Sequence, residues 1–286
     1  MKILVTGSNG QLGNEIKALS VAYPSYDFLY TDVDELDITH AAGVTHFFSV
    51  HNPDVVINCA AYTAVDKAEA DEETAFLVNA LAPGNIAQAA AATGAFMVHI
   101  STDYVFDGKN HRPYVETDRI NPVSVYAQSK AAGEDAVIRA KAKAVIIRTS
   151  WLYSAFGNNF IKTMMKYGAE REFLNVVFDQ TGTPTYARDL AKMILDTLPL
   201  AMASKDIEIY HYSNEGTASW YDFAIAILDF SKIKCTVNAI PTKDYPLPAA
   251  RPFYSVLDKS KIKKKFSVEI PYWKDSVQHC IERLKP

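Results

Sequence analysis

The stretch that most constrains the fold lies at the start of the chain. Ile3-Leu4-Val5, a short apolar run, passes into Gly7-Ser8-Asn9-Gly10-Gln11-Leu12-Gly13, and a helix-like pattern then runs from Gln11 to Leu19. Glycines at three-residue spacing between a strand and a helix let the backbone approach a bound pyrophosphate, because glycine has no Cβ and tolerates positive φ. The unpaired N–H groups and the dipole of the following helix favour a negative group there. Gly7, Gly10, Gln11, Leu12 and Gly13 are therefore candidate cofactor-binding residues. The spacing differs from G-x-G-x-x-G, and a tight turn without a ligand uses the same residue type.

Four more apolar runs follow: Phe28-Leu29-Tyr30, Val55-Val56-Ile57, Met97-Val98-His99-Ile100 and Val145-Ile146-Ile147. Each reads as a strand buried on both faces, and helix-like stretches over 73–92 and 129–140 lie between them. This alternation predicts an α/β fold, a doubly wound parallel sheet of Rossmann type. Residues 1–150 are expected to form a dinucleotide-binding domain. Beyond Thr149, residues 158–167 and 188–198 look helical, and Leu174-Asn175-Val176-Val177 is expected to rejoin the sheet, so segments near 174–200 return to the first domain. Residues 151–286 are otherwise assigned to a smaller, interwoven α/β substrate domain. Its last part carries Pro241, Pro246, Pro248, Pro252 and Pro271, which predicts short elements and ordered loops.

Composition narrows the partners. Hydrophobic residues make up 49% and charged residues 22% of the 286, which excludes a disordered chain, and the formal net charge of −4 gives no general attraction for nucleic acid or anionic lipid. Cys59, Cys235 and Cys280 are too few and too scattered for a disulfide framework or a paired-thiolate metal site. No apolar run reaches membrane-spanning length and no signal-like apolar core opens the chain. A cytoplasmic protein acting on a small molecule is expected, with no membrane partner and no catalytic metal.

Asp32 follows the second run nineteen positions after Gly13, where a carboxylate can accept hydrogen bonds from an adenosine ribose. A turn role fits the same residue, with Asp34, Asp37 and Thr31 as nearby polar competitors. No Lys or Arg lies between Lys17 and Lys67, so a local cation for a 2′-phosphate is missing, and the cofactor reading leans to NADH over NADPH. Tyr126 and Lys130, four apart at a helix start, share one helix face. Ser101-Thr102-Asp103 follows the fourth run at the carboxyl edge of the sheet, where open α/β folds bind ligands. Reducing a ketone requires a hydride, a proton for the developing alkoxide and a donor that orients the carbonyl. Thr102, Tyr126 and Lys130 can divide those tasks, with the lysine cation drawing the tyrosine towards tyrosinate. Strand-end capping by Thr102 and a buried, backbone-bonded Tyr126 are the plainer readings of the same residues.

Together, Gly7/Gly10/Gly13, Asn58-Cys59-Ala60-Ala61, Asn79, Ser101-Thr102-Asp103-Tyr104-Val105-Phe106 and Tyr126-x-x-x-Lys130 resemble the extended short-chain dehydrogenases/reductases. Ala64 through Glu69, Arg148-Thr149-Ser150-Trp151, Gly157-Asn158-Asn159-Phe160, Asp179-Gln180-x-Gly-x-Pro184-Thr185 and Arg251-Pro252 extend the likeness over nearly the whole chain, towards the dTDP-4-dehydrorhamnose reductase family. The resemblance implies NAD(P)H-dependent reduction of the C4 ketone of a dTDP-linked 4-keto-6-deoxy sugar to dTDP-L-rhamnose, with Thr102, Tyr126 and Lys130 catalytic. It also implies that Asp37-Ile38 lie near adenine, that Ala60-Ala61 lie against the cofactor, and that Val65, Asp103, Tyr104 and Trp151 surround the sugar nucleotide. Asn79 corresponds to an asparagine that helps hold the lysine through a water. Arg251 either neutralises a substrate phosphate or is simply solvated. Some relatives bind a divalent ion between subunits, in which Glu15 would take part, and a homodimer is among the assemblies implied. A reductase of another nucleotide-linked keto sugar, or a non-catalytic cofactor-binding regulatory subunit, remains open as a rival reading.

Overall fold

In the computed structural model, which describes residues 1–204 and 206–284, the chain alternates strands and helices as far as Thr149. The strands are β1 (Lys2–Thr6), β2 (Asp27–Thr31), β3 (Val55–Asn58), β4 (Phe96–Thr102) and β5 (Ala144–Thr149). The helices between them are α1 (Gln11–Leu19), α2 (Ala41–His51), the short α3 (Val65–Ala68) and α4 (Glu72–Phe76), then α5 (Ala82–Thr93) and α6 (Val125–Ala140). Beyond them come β6 (Leu152–Tyr153), α7 (Phe160–Glu170), β7 (Phe173–Val177), β8 (Thr181–Gly182), β9 (Thr185–Tyr186) and α8 (Ala187–Met202). The chain ends with β10 (Glu208–His211), β11 (Ala218–Ser219), α9 (Trp220–Ser231), β12 (Thr236–Ile240), α10 (Ser260–Phe266) and α11 (Trp273–Leu284). Residues 285 and 286, the end of the expected second domain, lie outside the described residues.

Six strands form one parallel sheet in the order β10-β5-β4-β3-β1-β2, so the doubly wound expectation holds. Side chains alternate between its faces. Ile3, Val5, Ile57, Val98 and Ile147 meet α1, α8 and α10, whereas Leu4, Val56, Met97 and Ile146 meet α2, α5 and α6. The strand order reverses between β1 and β3, and a crevice at the carboxyl ends of the strands opens at such a reversal.

Three expectations are corrected. Leu174–Val177 does not rejoin the main sheet: β7 pairs with β12 in a separate parallel ribbon, and the sixth main strand is β10. Leu174 and Val176 are buried while Phe173 and Asn175 face out, the alternation of a one-sided strand rather than one covered on both faces. β2 is an edge strand, and Phe28, Leu29 and Tyr30 are only half-buried. The helical stretch over 73–92 is not continuous, since Leu77–Leu81 widens to a π turn in which the Ala82 amide donates to the Leu77 carbonyl. Pro83 has no N–H to offer the Asn79 carbonyl one turn back, which explains why the ladder opens there.

Residues beyond 150 divide mainly between two cores, while Leu257 packs with Val105, Phe106 and Tyr114 in a smaller third one. Leu190, Ile194, Tyr210, Ile262 and Phe266 pack on the main sheet, whereas Tyr153, Ile161, Phe223, Trp273 and Ile281 form a core of their own. No helix among the described residues is long and apolar enough to cross a membrane.

Candidate active site

Each glycine of the first turn has a geometric reason. Gly7 has φ +64°, and a Cβ there would come within 2.6 Å of the Ala60 backbone; at Gly13 a Cβ would lie 2.5 Å from the Gly7 carbonyl. The turn therefore sits tightly against the end of β3, and α1 packs tightly against the turn. Gly10 is the N-cap of α1 and offers no side-chain oxygen to the helix, so the first-turn amides are left for another acceptor. Leu12 buries its side chain in the core, and Gln11 accepts from Asn159 Nδ2 at 3.0 Å. The cradle fits a pyrophosphate.

Asp32, at the end of β2, accepts the Asn9 amide at 3.0 Å and the Val33 amide at 2.9 Å, so it ties the glycine turn to the second strand. Asp37 is exposed and accepts the Thr39 amide and hydroxyl, which hold its carboxyl below the usual range. The neighbouring Ile38 carbonyl accepts from Asn85 Nδ2 on α5 at 3.1 Å. The sequence reading missed Asn85, whose only signal is a polar residue within an alanine-rich helix.

At the other end of the crevice, Ser124 caps α6 by accepting the Ala127 amide, which puts Tyr126 in the first turn and Lys130 one turn later. The buried Lys130 ammonium donates to the Ile100 carbonyl at 2.7 Å, near the end of β4. Burial pulls its pKa down to about 8, with Glu134 and Cys59 opposing. Tyr126, edge-on to Tyr104 at 5.7 Å, has its pKa pushed up to about 12 by burial, with the Thr102 hydroxyl opposing and Asp103 adding to the rise. Lys130 is not among the groups acting on this hydroxyl, and its ammonium bonds to the strand carbonyl. Thr102 donates to Asp103 Oδ1 at 3.1 Å and caps the turn by accepting the Tyr104 amide. Asp103 is 2% exposed, its Oδ2 has no hydrogen-bond partner, and burial raises its pKa to about 7, opposed by the nearby Ser255 hydroxyl and by the Thr102 hydroxyl that donates to Oδ1.

A cleft of about 560 Å3 joins these parts. Gly10, Gln11 and Leu12 line it at one end; Ala61, Val65, Thr102, Asp103, Tyr104, Tyr126, Lys130 and Trp151 line the rest. Gly7, Gly13, Asp32, Asp37, Ile38, Ala60 and Arg251 are not among its lining residues. Trp151 holds φ +46°, uncommon for a large side chain, and stacks on Trp220 with ring centres 3.8 Å apart. Trp220, Phe160 and Phe223 complete an aromatic wall that the sequence reading missed, because they lie on α7 and α9, far along the chain.

Three further candidates have explicit partners. Arg251 donates to Asp66 Oδ2 at 2.7 Å and to the Ala249 carbonyl, bridging the proline-rich loop to α3. Asn79 is fully buried, pairs with both backbone groups of Tyr62 and donates to Ser129 Oγ at 3.0 Å. Glu15, also fully buried, accepts from Arg283, Arg188 and Ser154. No cluster of three or more His, Cys, Asp or Glu able to hold a metal occurs among the described residues.

A parallel sheet with a glycine turn at its switch point, and a cleft leading from that turn to a tyrosine and a lysine, define a nicotinamide-dependent oxidoreductase of the short-chain dehydrogenase/reductase class. The family described as RmlD substrate binding domain matches residues 1–285. A dTDP-4-dehydrorhamnose reductase of Aggregatibacter actinomycetemcomitans is 40% identical over 286 residues, covering 97% of each chain. Among solved structures, a dTDP-4-dehydrorhamnose reductase from Clostridium acetobutylicum superposes with TM-score 0.95 at 43% identity, covering 99% of each chain. Another, from Bacillus anthracis in complex with NADP, gives TM-score 0.94 at 37% identity with the same coverage. The chain belongs to the dTDP-4-dehydrorhamnose reductase family and is a nicotinamide-dependent reductase.

Proposed function

We propose that the protein reduces the C4 ketone of dTDP-4-dehydro-6-deoxy-L-mannose, also called dTDP-4-dehydro-L-rhamnose, to give dTDP-L-rhamnose. The observation that carries this reading is one cleft with Gly10-Gln11-Leu12 at one end, Thr102, Tyr126 and Lys130 in the middle, and Trp151 with Val65 on the sugar side. A bound nicotinamide supplies the hydride to C4. Tyr126 donates its hydroxyl proton to the developing alkoxide, and its raised pKa keeps that proton in place at neutral pH. Thr102 orients the carbonyl oxygen. Lys130 offers a buried positive charge beside the alkoxide, and Asn79 holds the neighbouring backbone through Tyr62 and Ser129.

Gly7, Gly10 and Gly13 with the first amides of α1 hold the pyrophosphate, and Ala60-Ala61 pack against the cofactor. Asp32 faces the adenosine ribose and Asp37-Ile38 the adenine. Asp32, with Asp34 and Glu35 exposed beside it, disfavours a 2′-phosphate, which supports a lean to NADH over NADPH. Val65, Asp103, Tyr104 and Trp151 take the sugar nucleotide, and Arg251 turns from Asp66 to its phosphates. The protein works in the cytoplasm without a catalytic metal, as a homodimer or a single chain.

Purified protein is mixed with enzymatically prepared keto sugar and either NADH or NADPH; cofactor absorbance is followed and the product identified by NMR. Formation of dTDP-L-rhamnose supports the reading. A product of other stereochemistry moves it to another keto sugar, and cofactor binding without turnover points to the regulatory role.

A further inference from the structure

Of the motif Arg148-Thr149-Ser150-Trp151 only Trp151 has a part in the reading above, yet Arg148 lies in the most buried ion pair of the described residues. Arg148 Nη2 is 2.7 Å and Nε 2.9 Å from the two carboxylate oxygens of Glu134, and both side chains are 3% exposed. Ser101 Oγ donates to the same carboxylate at 2.5 Å. Ser101 and Arg148 are register partners on β4 and β5, directly before Thr102 and Thr149, and Glu134 follows Lys130 by one turn on α6. The guanidinium also lies 5.2 Å from the Phe106 ring, just past the turn that holds Asp103 and Tyr104.

We infer that Glu134, Arg148 and Ser101 form a positioning clamp that sets Tyr126 and Lys130 on α6 against Thr102 on β4. Thr102 and the Tyr126–Lys130 pair come from different elements, and a misplacement of 1 Å can cost on the order of 100-fold in rate. The clamp fixes helix to strand one residue before Thr102 and one turn beyond Lys130; Ser101 lines the cleft, whereas Glu134 and Arg148 lie behind it and do not. Its carboxylate is also the counter-charge for Lys130. The other ionisable groups facing that ammonium are Cys59 from the end of β3 and His99 from β4, and burial with the lysine's own charge keeps His99 neutral.

The inference rests on the reductase reading, so the test includes a measurement that needs no substrate. Lys130 titration is followed by NMR on lysine-labelled protein, assigned with Lys130→Met, alongside kcat, KM and NAD(P)H affinity. Wild-type turnover tests the reductase reading by itself. In Glu134→Gln, which keeps an acceptor for Ser101, Lys130 should titrate at least about half a unit lower. kcat should fall roughly 10–100-fold with KM and cofactor affinity within about threefold. Because Glu134→Gln strands a buried charge, Glu134→Gln/Arg148→Gln is measured beside it; it should show a reduced kcat with a smaller titration shift. A folded variant of either kind with wild-type kcat and an unmoved Lys130 titration overturns the clamp.

Discussion

The two ends of the cleft are built from different material. The proposed cofactor end is main chain: three glycines and the open amides of α1, contributed by seven consecutive residues, with backbone approaches at Gly7 and Gly13 too close for a Cβ. The proposed sugar end is side chain: Val65, the Asp103-Tyr104 pair, Trp151, Phe160 and Trp220 come from different stretches of the chain and meet only in the folded protein. A pyrophosphate offers charge and little shape, which backbone N–H groups and a helix dipole satisfy at close range. A sugar nucleotide has faces and stereocentres, so its site requires shaped apolar walls with a few placed polar groups.

Tyr126 stands where the two ends meet, and its loss should produce the largest effect. Tyr126→Phe removes only the proton donor, so kcat should fall about 10²–10⁴-fold. NAD(P)H affinity, read by fluorescence titration, should stay within about threefold. A parallel collapse of cofactor affinity would erase the proposed division between the ends.

Gly13→Ala tests the backbone end alone. The added methyl would lie 2.5 Å from the Gly7 carbonyl and from Ser8 Cα, so the turn must open. Cofactor affinity should drop roughly 10–100-fold, the loss expected when a pyrophosphate cradle no longer fits, while KM for the sugar nucleotide changes little. Unchanged NAD(P)H binding would show that the close packing of this turn is not what holds the cofactor.

The same contrast explains what could be read from the sequence. The glycine turn, the parallel strands and the Tyr126–Lys130 pair are local patterns, and each appears where a spacing argument puts it. Trp220 and Phe160 could not be assigned to the cleft, because no local period records that α7 and α9 face β4 across it. β10 was missed and β7 misassigned for a related reason: a four-residue edge strand has almost no periodicity, whereas Leu174-x-Val176 is apolar enough to pass for sheet. The direction in which the Tyr126 hydroxyl shifts was not legible, because burial, its largest cause, is a property of the packed site alone.

Trp220→Ala probes the side-chain end. It removes the face on which Trp151 stacks at 3.8 Å, a contact worth about 0.5–1.5 kcal/mol beyond area. KM for the sugar nucleotide should rise about 3–10-fold with cofactor affinity unchanged. Trp220→Phe should recover part of that loss, since a ring remains. If Trp220→Ala weakens cofactor and substrate alike, the wall supports the whole cleft and not the sugar end alone.

Asp103 carries the subtlest difference between the ends, because its buried carboxylate keeps an oxygen without a partner, whereas the buried Glu15 on α1 is held by Arg283, Arg188 and Ser154. Its folded pKa is raised to about 7, chiefly by burial, against an unfolded value of about 3.9. A group whose folded pKa is raised contributes stability that is full below pH ~4 and lost as pH rises through ~7. Above that, the protein holds a charged carboxylate whose Oδ2 has no partner. Asp103→Asn keeps an acceptor for the Thr102 hydroxyl and removes the charge. Its melting temperature should therefore exceed the wild type's by a few degrees at pH 8, at about 2–4 °C per kcal/mol for a chain of this size. At pH 5, where the folded wild-type carboxyl is mostly protonated, the difference should shrink markedly, and it should vanish only towards pH ~4. Melting curves that stay parallel from pH 5 to pH 8 would mean that Asp103 ionises as freely as a surface carboxylate, and the sugar end would lose its electrostatic distinction from the glycine turn.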